Sequence, residues 1–177
     1  MRSASELDGW RHCPRCAAAL ERKERAVACP ACGLVVYGKP APAICALVLD
    51  EAGRVLLGRR AYDPFAGRWD VLGGFMEEGE QPLETLRREL REETGLEVEP
   101  LEFVAAVADR YGEAGGHTLN LCWTARVLGG KLAAADDVAE LRWFEPDALP
   151  PRDELAFENS AELLRAWQRG RSGTGPK

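Results

Sequence analysis

Two groups of residues have types and spacings that could do chemistry. The first is acidic: Glu89, Glu92 and Glu93 lie within the run Arg88-Glu89-Leu90-Arg91-Glu92-Glu93-Thr94-Gly95. At about 100° per residue they share an arc of roughly 100° on a helix, beside a stripe expected from Leu83, Leu86 and Leu90. Like charges three and four residues apart weaken a helix by a few tenths of a kcal/mol per pair, so a positive partner is expected there. Hard divalent cations prefer carboxylate and carbonyl oxygen and keep several waters while bridging to phosphates. The spacing therefore predicts a metal site with room for a phosphate. Arg88, four residues after Glu84 and close to Glu92, can orient or partly neutralise the cluster. A lone Glu-x-x-Glu would more often be a solvated helix face.

The second group is Cys13-Pro-Arg-Cys16 and Cys29-Pro-Ala-Cys32, two CxxC knuckles separated by a stretch that fits a short hairpin. Four thiolates around a tetrahedral zinc ion leave no open coordination position, so such an ion is structural. A segment this small is expected to need it to fold. Bracing the neighbouring domain is the favoured role, with nucleic-acid or partner binding as the alternative. Cys45 and Cys122 sit in apolar runs and read as core residues. His12 and His117 have no Ser or Cys partner pattern around them, which argues against a nucleophilic triad.

These groups need elements to hold them. Gln81 to Thr94 reads as a helix capped by Gly95. Ala43 to Leu49 and Arg54 to Arg60 flank Asp50-Glu51-Ala52-Gly53, the composition of a hairpin turn. Glu97 to Asp109, Thr118 to Leu128 and Val138 to Phe144 are three further strands, and Asn159 to Gln168 a closing helix. The expected organisation is a small zinc ribbon over 10–37, a main domain over 43–168 entered through Lys39-Pro40-Ala41-Pro42, and a disordered tail over 169–177. Helices able to cover both faces of a mixed sheet indicate an α/β or α+β sandwich.

The chain as a whole narrows the options. Its 177 residues allow one ordinary core plus a small module, and its net charge of −6 disfavours broad attraction to nucleic acid or anionic lipid. No stretch approaches the roughly 18 apolar residues of a membrane helix, and the N-terminal MRSASELDGW lacks the apolar centre of a signal peptide, so a cytoplasmic location without membrane association is expected.

From Gly74 to Leu96 the chain matches G-x5-E-x7-R-E-U-x-E-E-x-G-U, with U apolar, at every specified position. This resembles the Nudix box. Leu56-Leu57-Gly58-Arg59-Arg60, Trp69 before Gly73-Gly74, and Glu140-Leu141-Arg142-Trp143-Phe144 are similar to other landmarks of the family, extending the resemblance over 43–168. The resemblance implies an α/β/α sandwich, with magnesium or manganese polarising a diphosphate and activating water. On this chain it assigns Glu89, Glu92, Glu93 and the Gly73 carbonyl as metal ligands, with Glu80 and Arg88 bracing them. It gives Glu140 as a ligand or base from a later strand, and Arg60 and Gly74 as substrate-binding positions. The family commonly has Pro before the Gly-Gly pair, where this chain has Leu72; a small change in loop rigidity is expected, without loss of activity.

A zinc ribbon ahead of such a domain resembles the NADH pyrophosphatase group, which also acts on NAD-capped RNA. That group's Ser-Gln-Pro-Trp-Pro-Phe-Pro stretch is missing; the region reads Val107-Ala-Asp-Arg-Tyr111-Gly. The resemblance thus implies a metal-dependent hydrolase of a nucleoside diphosphate derivative such as ADP-ribose, FAD or an NAD(H)-like molecule, with Tyr111 and Phe65 available for stacking. It allows a homodimer. The alternatives are a non-catalytic nucleotide sensor whose ribbon binds DNA or a partner, and a housecleaning enzyme for damaged nucleoside triphosphates.

Overall fold

The computed structural model describes residues 6–113 and 115–172. After a short 3-10 turn at Glu6–Gly9, strands β1 (Glu21–Arg22) and β2 (Ala26–Ala28) form an antiparallel hairpin between the two cysteine pairs, and β3 (Val35–Tyr37) pairs with β2. Each knuckle closes on itself: the Ala17 N–H donates to the Cys13 carbonyl at 2.8 Å and the Gly33 N–H to the Cys29 carbonyl at 3.0 Å. Both closing residues adopt positive φ, 60° at Ala17 and 72° at Gly33, which glycine takes at no steric cost. The turns aim the four thiols at one another. Cys13 and Cys32 Sγ are 3.6 Å apart, Cys16 and Cys29 Sγ 3.5 Å, and all four sulfurs lie within 4.8 Å of one another.

The main domain is built from β4 (Ala41–Leu49), β5 (Val55–Arg60), β6 (Trp69–Asp70), β7 (Leu72–Phe75), α1 (Pro82–Thr94), β8 (Leu96–Arg110), β9 (His117–Gly130), β10 (Val138–Phe144) and α2 (Glu158–Ser172). The sheet order is β10-β5-β4-β9-β8, with β6 added to β5 and β7 to β4. β4 and β9 run parallel from the Ala41↔Thr118 pair to Leu49↔Arg126, whereas every other pairing is antiparallel, so the sheet is mixed. Central β4 is buried on both faces, which explains its continuous apolar composition. Ile44, Ala46 and Val48 pack with Leu86 and Leu90 of α1, while Cys45 and Leu47 pack with Leu163, Leu164 and Trp167 of α2. The expected α/β/α sandwich follows from that alternation.

Several details differ from expectation. Pro42 belongs to β4 instead of a linker, because the strand begins at Ala41 against Thr118. α2 continues past Gln168 through Ser172, four residues into the expected tail; Arg169 and Arg171 suit the negative end of the helix dipole, and Arg171 covers the Trp167 ring. The remaining tail, 173–177, lies outside the described residues. The inner face of α1 is Leu86, Leu90 and Glu93, whereas Leu83, in the first turn, is 36% exposed. The acidic cluster therefore does not merely border the buried stripe. One of its members is part of it.

Candidate active site

The short strand β7 shapes the site through two glycines. It pairs with β4 through Cys45↔Gly73 and Ile44↔Gly74. Gly73 has φ 136°, and a Cβ there would stand 2.1 Å from the Ile44 carbonyl oxygen, so only glycine permits this approach. A Cβ on Gly74 would meet the Glu89 carboxyl carbon at 2.5 Å; the missing side chain is the seat of that carboxylate. Gly73 also donates its N–H to Glu93 Oε2 at 2.8 Å. Leu72, in place of the family's Pro, is buried in the core beneath α1.

α1 brings its acids to this loop because the helix is well started and stopped. Glu84 accepts from the Gln81 N–H at 2.9 Å, and Gly95 ends the helix at φ 69°. Arg88 then links the loop to the helix. Its guanidinium reaches Glu80 at 2.7 and 2.9 Å, Glu89 at 2.7 Å, Glu92 at 3.1 Å and the Phe75 carbonyl at 3.2 Å. Hydrogen bonding to Arg88 holds the Glu80 carboxyl down at about 2, helped by the Glu77 N–H and Thr85. Glu84, the sequence neighbour expected to pair with Arg88, is instead occupied by capping.

The three box carboxylates form a gradient of burial. Glu92 has a side chain 50% exposed, that of Glu89 is 13% exposed, and Glu93 is 6% exposed. Burial pushes the Glu93 carboxyl well above the usual range; Asp137 and Glu89 push it further, against the Gly73 N–H. Burial likewise raises Glu89, with Arg88 opposing. Among the described residues, only the four cysteines have ligand atoms gathered within 4.8 Å of one another. Arg88 stands between Glu89 and Glu92, and Glu93 is turned to Gly73. The donor set still fits a hard divalent cation. Its atoms are carboxylate oxygens, and one of them rests in a cradle that a single Cβ would fill.

Glu140, the ligand or base from a later strand that the resemblance implied, faces two arginines in this structure. Its register partner in β5 is Arg59, and its carboxylate is ion-paired to Arg142 at 2.5 Å and Arg59 at 3.3 Å, with Arg142 holding its pKa below the usual value. The β10 bulge between Val138 and Glu140 changes the strand's facing. Asp137, just before β10, lines a small cavity together with Glu93 and Gly73. It is the later acid that adjoins the box.

Beside the glycines opens a cleft whose walls include Arg60, Asp70, Phe75, Tyr111, Asn120 and Phe157. Tyr111 stacks on Phe157 with ring centroids 5.5 Å apart, and Phe75 meets Tyr111 edge-on at 5.5 Å. Phe65 packs edge-on against Phe157 at 5.2 Å and lines a neighbouring depression. Tyr111 thus joins the cleft, and Phe65 supports its wall. Arg60 is no surface cation: its side chain is 11% exposed and its guanidinium lies over the Tyr111 and Phe157 rings at 5.7 and 5.2 Å. Sequence reasoning missed Asp70, Phe75, Asp137 and Phe157. Nothing local marks Phe157, which reaches the cleft only because α2 returns across the sheet.

A layered sandwich with a Gly-Gly strand, a braced carboxylate helix and an adjoining aromatic cleft defines a class of phosphate-handling folds. Residues 39–167 match the NUDIX domain model, and the chain belongs to that family. It is 32% identical to a NAD-capped RNA hydrolase NudC of Stutzerimonas stutzeri over 178 residues, covering 95% of this chain and 62% of that protein. It is 34% identical over 140 residues to an ADP-ribose pyrophosphatase of Methanocaldococcus jannaschii, covering 78% of this chain and 79% of that protein. The chain therefore spans less than two thirds of the NudC relative. A NUDIX hydrolase structure from Nitrosomonas europaea shares the fold with a TM-score of 0.78 at 24% identity, covering 94% of this chain and 95% of that one. Among the described residues, no helix is long and apolar enough to cross a membrane.

Proposed function

We propose that this chain is a divalent-metal-dependent hydrolase of the diphosphate linkage in a nucleoside diphosphate derivative, with ADP-ribose, FAD and NAD(H)-like molecules as the substrate class. One observation carries this: a single strand, β7, forms both a wall of the aromatic cleft, through Gly73, Gly74 and Phe75, and the seat of Glu89 and Glu93. A base held among aromatic rings then has its phosphates delivered to the carboxylates. Names of the relatives agree with diphosphate chemistry on both an NAD-capped RNA and ADP-ribose.

Glu89, Glu92 and Glu93 would hold magnesium or manganese, with the Gly73 carbonyl as a further donor, and the cation when bound supplies positive charge against the diphosphate and acidifies water. Arg88, clamped by Glu80, sets the rotamers of Glu89 and Glu92. Arg60 offers a planar guanidinium to phosphate oxygens. Glu140, engaged by two arginines and held acidic, receives no part in the reaction. Hydrolysis in oxygen-18 water should convert ADP-ribose to AMP and ribose 5-phosphate, or FAD to AMP and FMN, with label on a phosphate of one product. Nucleotide binding without turnover under either metal across a panel of ADP-ribose, NADH, NAD, FAD, diadenosine polyphosphates and nucleoside triphosphates would favour a sensor. Label on a ribose hydroxyl would overturn the mechanism alone.

For the ribbon we propose zinc on Cys13, Cys16, Cys29 and Cys32. A tetrahedron with Zn–S of about 2.3 Å has edges of about 3.8 Å, close to the observed sulfur separations of 3.5 and 3.6 Å. Elemental analysis should find one zinc per chain, and Cys16→Ser should lose it while the main domain keeps its hydrolytic activity. Four freely titratable thiols in the purified protein contradict this.

A further inference from the structure

Arg60 is built into the wall of the cleft, and what holds it there has a role beyond packing. Its Nε donates to the Pro64 carbonyl at 2.8 Å, Nη2 to the Tyr111 hydroxyl at 3.1 Å, and Nη1 to Asp70 Oδ2 at 3.5 Å. An arginine has five N–H donors. Three are engaged among the described residues, leaving one on each terminal nitrogen for a ligand. Asp70 in turn is fixed from two sides: Oδ1 accepts from the Val71 N–H at 2.9 Å and from the Ser160 hydroxyl of α2 at 2.5 Å. Its side chain is only 16% exposed. Both Arg60 and Asp70 line the aromatic cleft and also the small cavity shared by Gly73 and Glu93. The pair therefore stands where a bound molecule passes from its base to its phosphates.

From this geometry, and resting on the substrate class proposed above, we infer that Asp70, tied by Ser160, is a positioning residue that aims the two open N–H groups of Arg60 at a substrate phosphate and makes substrate affinity depend on pH. A planar fork bonds phosphate well only when its orientation is set in advance. Neutralising Asp70 removes the one counter-charge in direct contact with the guanidinium among the described residues and loosens its orientation. Burial lifts the Asp70 carboxyl to about 6, against Ser160 and Arg60, so this event falls in an accessible range. The charged and titratable groups around the pair are Arg60 on β5, Cys45 on β4, Glu93 on α1, Arg110 on β8, Tyr111, and Asp137 before β10; α2 contributes the neutral Ser160 and Asn159. Losing negative charge at Glu93, or at Asp70 itself, favours an anion by charge alone, so the expected loss reports the aim of the guanidinium.

The test is calorimetric binding of ADP-ribose to the full chain in chelator, where no turnover occurs, alongside kcat and KM with magnesium. Both phosphates of ADP-ribose stay ionised across the range. Wild-type affinity should fall about fivefold as pH drops from about 7.5 to 5, since a group one unit beyond its midpoint is about nine-tenths converted to the tenfold weaker form. Asp70→Asn should bind about tenfold more weakly at pH 7.5, with a flat profile and KM raised more than kcat is lowered. Ser160→Ala keeps the carboxylate but removes a hydrogen bond to its charged form, and should move the midpoint upward; this variant decides the matter if Asp70→Asn does not fold. Wild-type affinity and pH profile in both variants overturn the positioning role while leaving the hydrolase reading intact. Failure of ADP-ribose, FAD, NADH and inorganic pyrophosphate alike to bind the wild type in chelator, together with no turnover under magnesium or manganese, overturns both.

Discussion

Glu93→Gln should yield a folded protein whose turnover is reduced by on the order of a hundredfold or more, the loss expected when one charged metal ligand is removed. The stability consequence is opposite in direction. Glu93 is buried on the inner face of α1, with its pKa raised by burial, Asp137 and Glu89. A carboxyl whose folded pKa lies above its unfolded value of about 4.3 favours folding when protonated, and that contribution is lost as pH rises from there through the folded value. Near neutrality the wild type without metal therefore bears a pH-dependent cost at Glu93. Glutamine removes it while keeping an oxygen to accept from the Gly73 N–H. In chelator at neutral pH the variant should melt no lower than the wild type, each kcal/mol being worth about 2–4 °C in a chain of this size. Magnesium or manganese should raise the melting temperature of the wild type and not of the variant. The assignment fails if turnover at saturating metal is unchanged, or if chelator makes the variant the less stable protein.

The second large effect separates two adjacent glycines. Gly73→Ala places a Cβ against β4 backbone, 2.1 Å from the Ile44 carbonyl oxygen and 2.6 Å from Cys45 Cα, at a φ of 136° that L-residues avoid. Neither obstacle can rotate away, so β7 must part from β4. The cost should be several kcal/mol, a large share of the roughly 5–15 kcal/mol that holds a domain together. Gly74→Ala meets the Glu89 carboxylate first, the end of a side chain that can swing aside. It should fold with nearly wild-type stability but need about tenfold more divalent metal, because Glu89 loses its seat and its contact with Arg88. Urea denaturation and metal-activation curves of the two variants distinguish these fates. Wild-type metal dependence in a folded Gly74→Ala protein would refute the seat, and a stable Gly73→Ala protein the close approach.

Much of this molecule could be read from local spacing. The CxxC pairs, the cap at Gly95, the Asp50–Gly53 turn and the apolar β4 each express a preference of a few consecutive residues, and each forms as its composition requires. The box places its acids on one turn of helix because helical periodicity is local. The tertiary structure decided what periodicity leaves open: how far α1 is rotated about its axis. That rotation buries Glu93 and exposes Leu83, since β4 and β7 cover the side of the helix that carries Leu86, Leu90 and Glu93 and leave Leu83 on the other. It likewise decided that Arg88 answers to Glu80 instead of Glu84, that a bulge in β10 sends Glu140 to Arg59 and Arg142, and that Asp70 meets Ser160 ninety positions later. The cleft depends on the same long-range return, which brings Phe75, Tyr111 and Phe157 together. Residues so distant in the chain share no local preference, and only the burial of both faces of one sheet makes them neighbours.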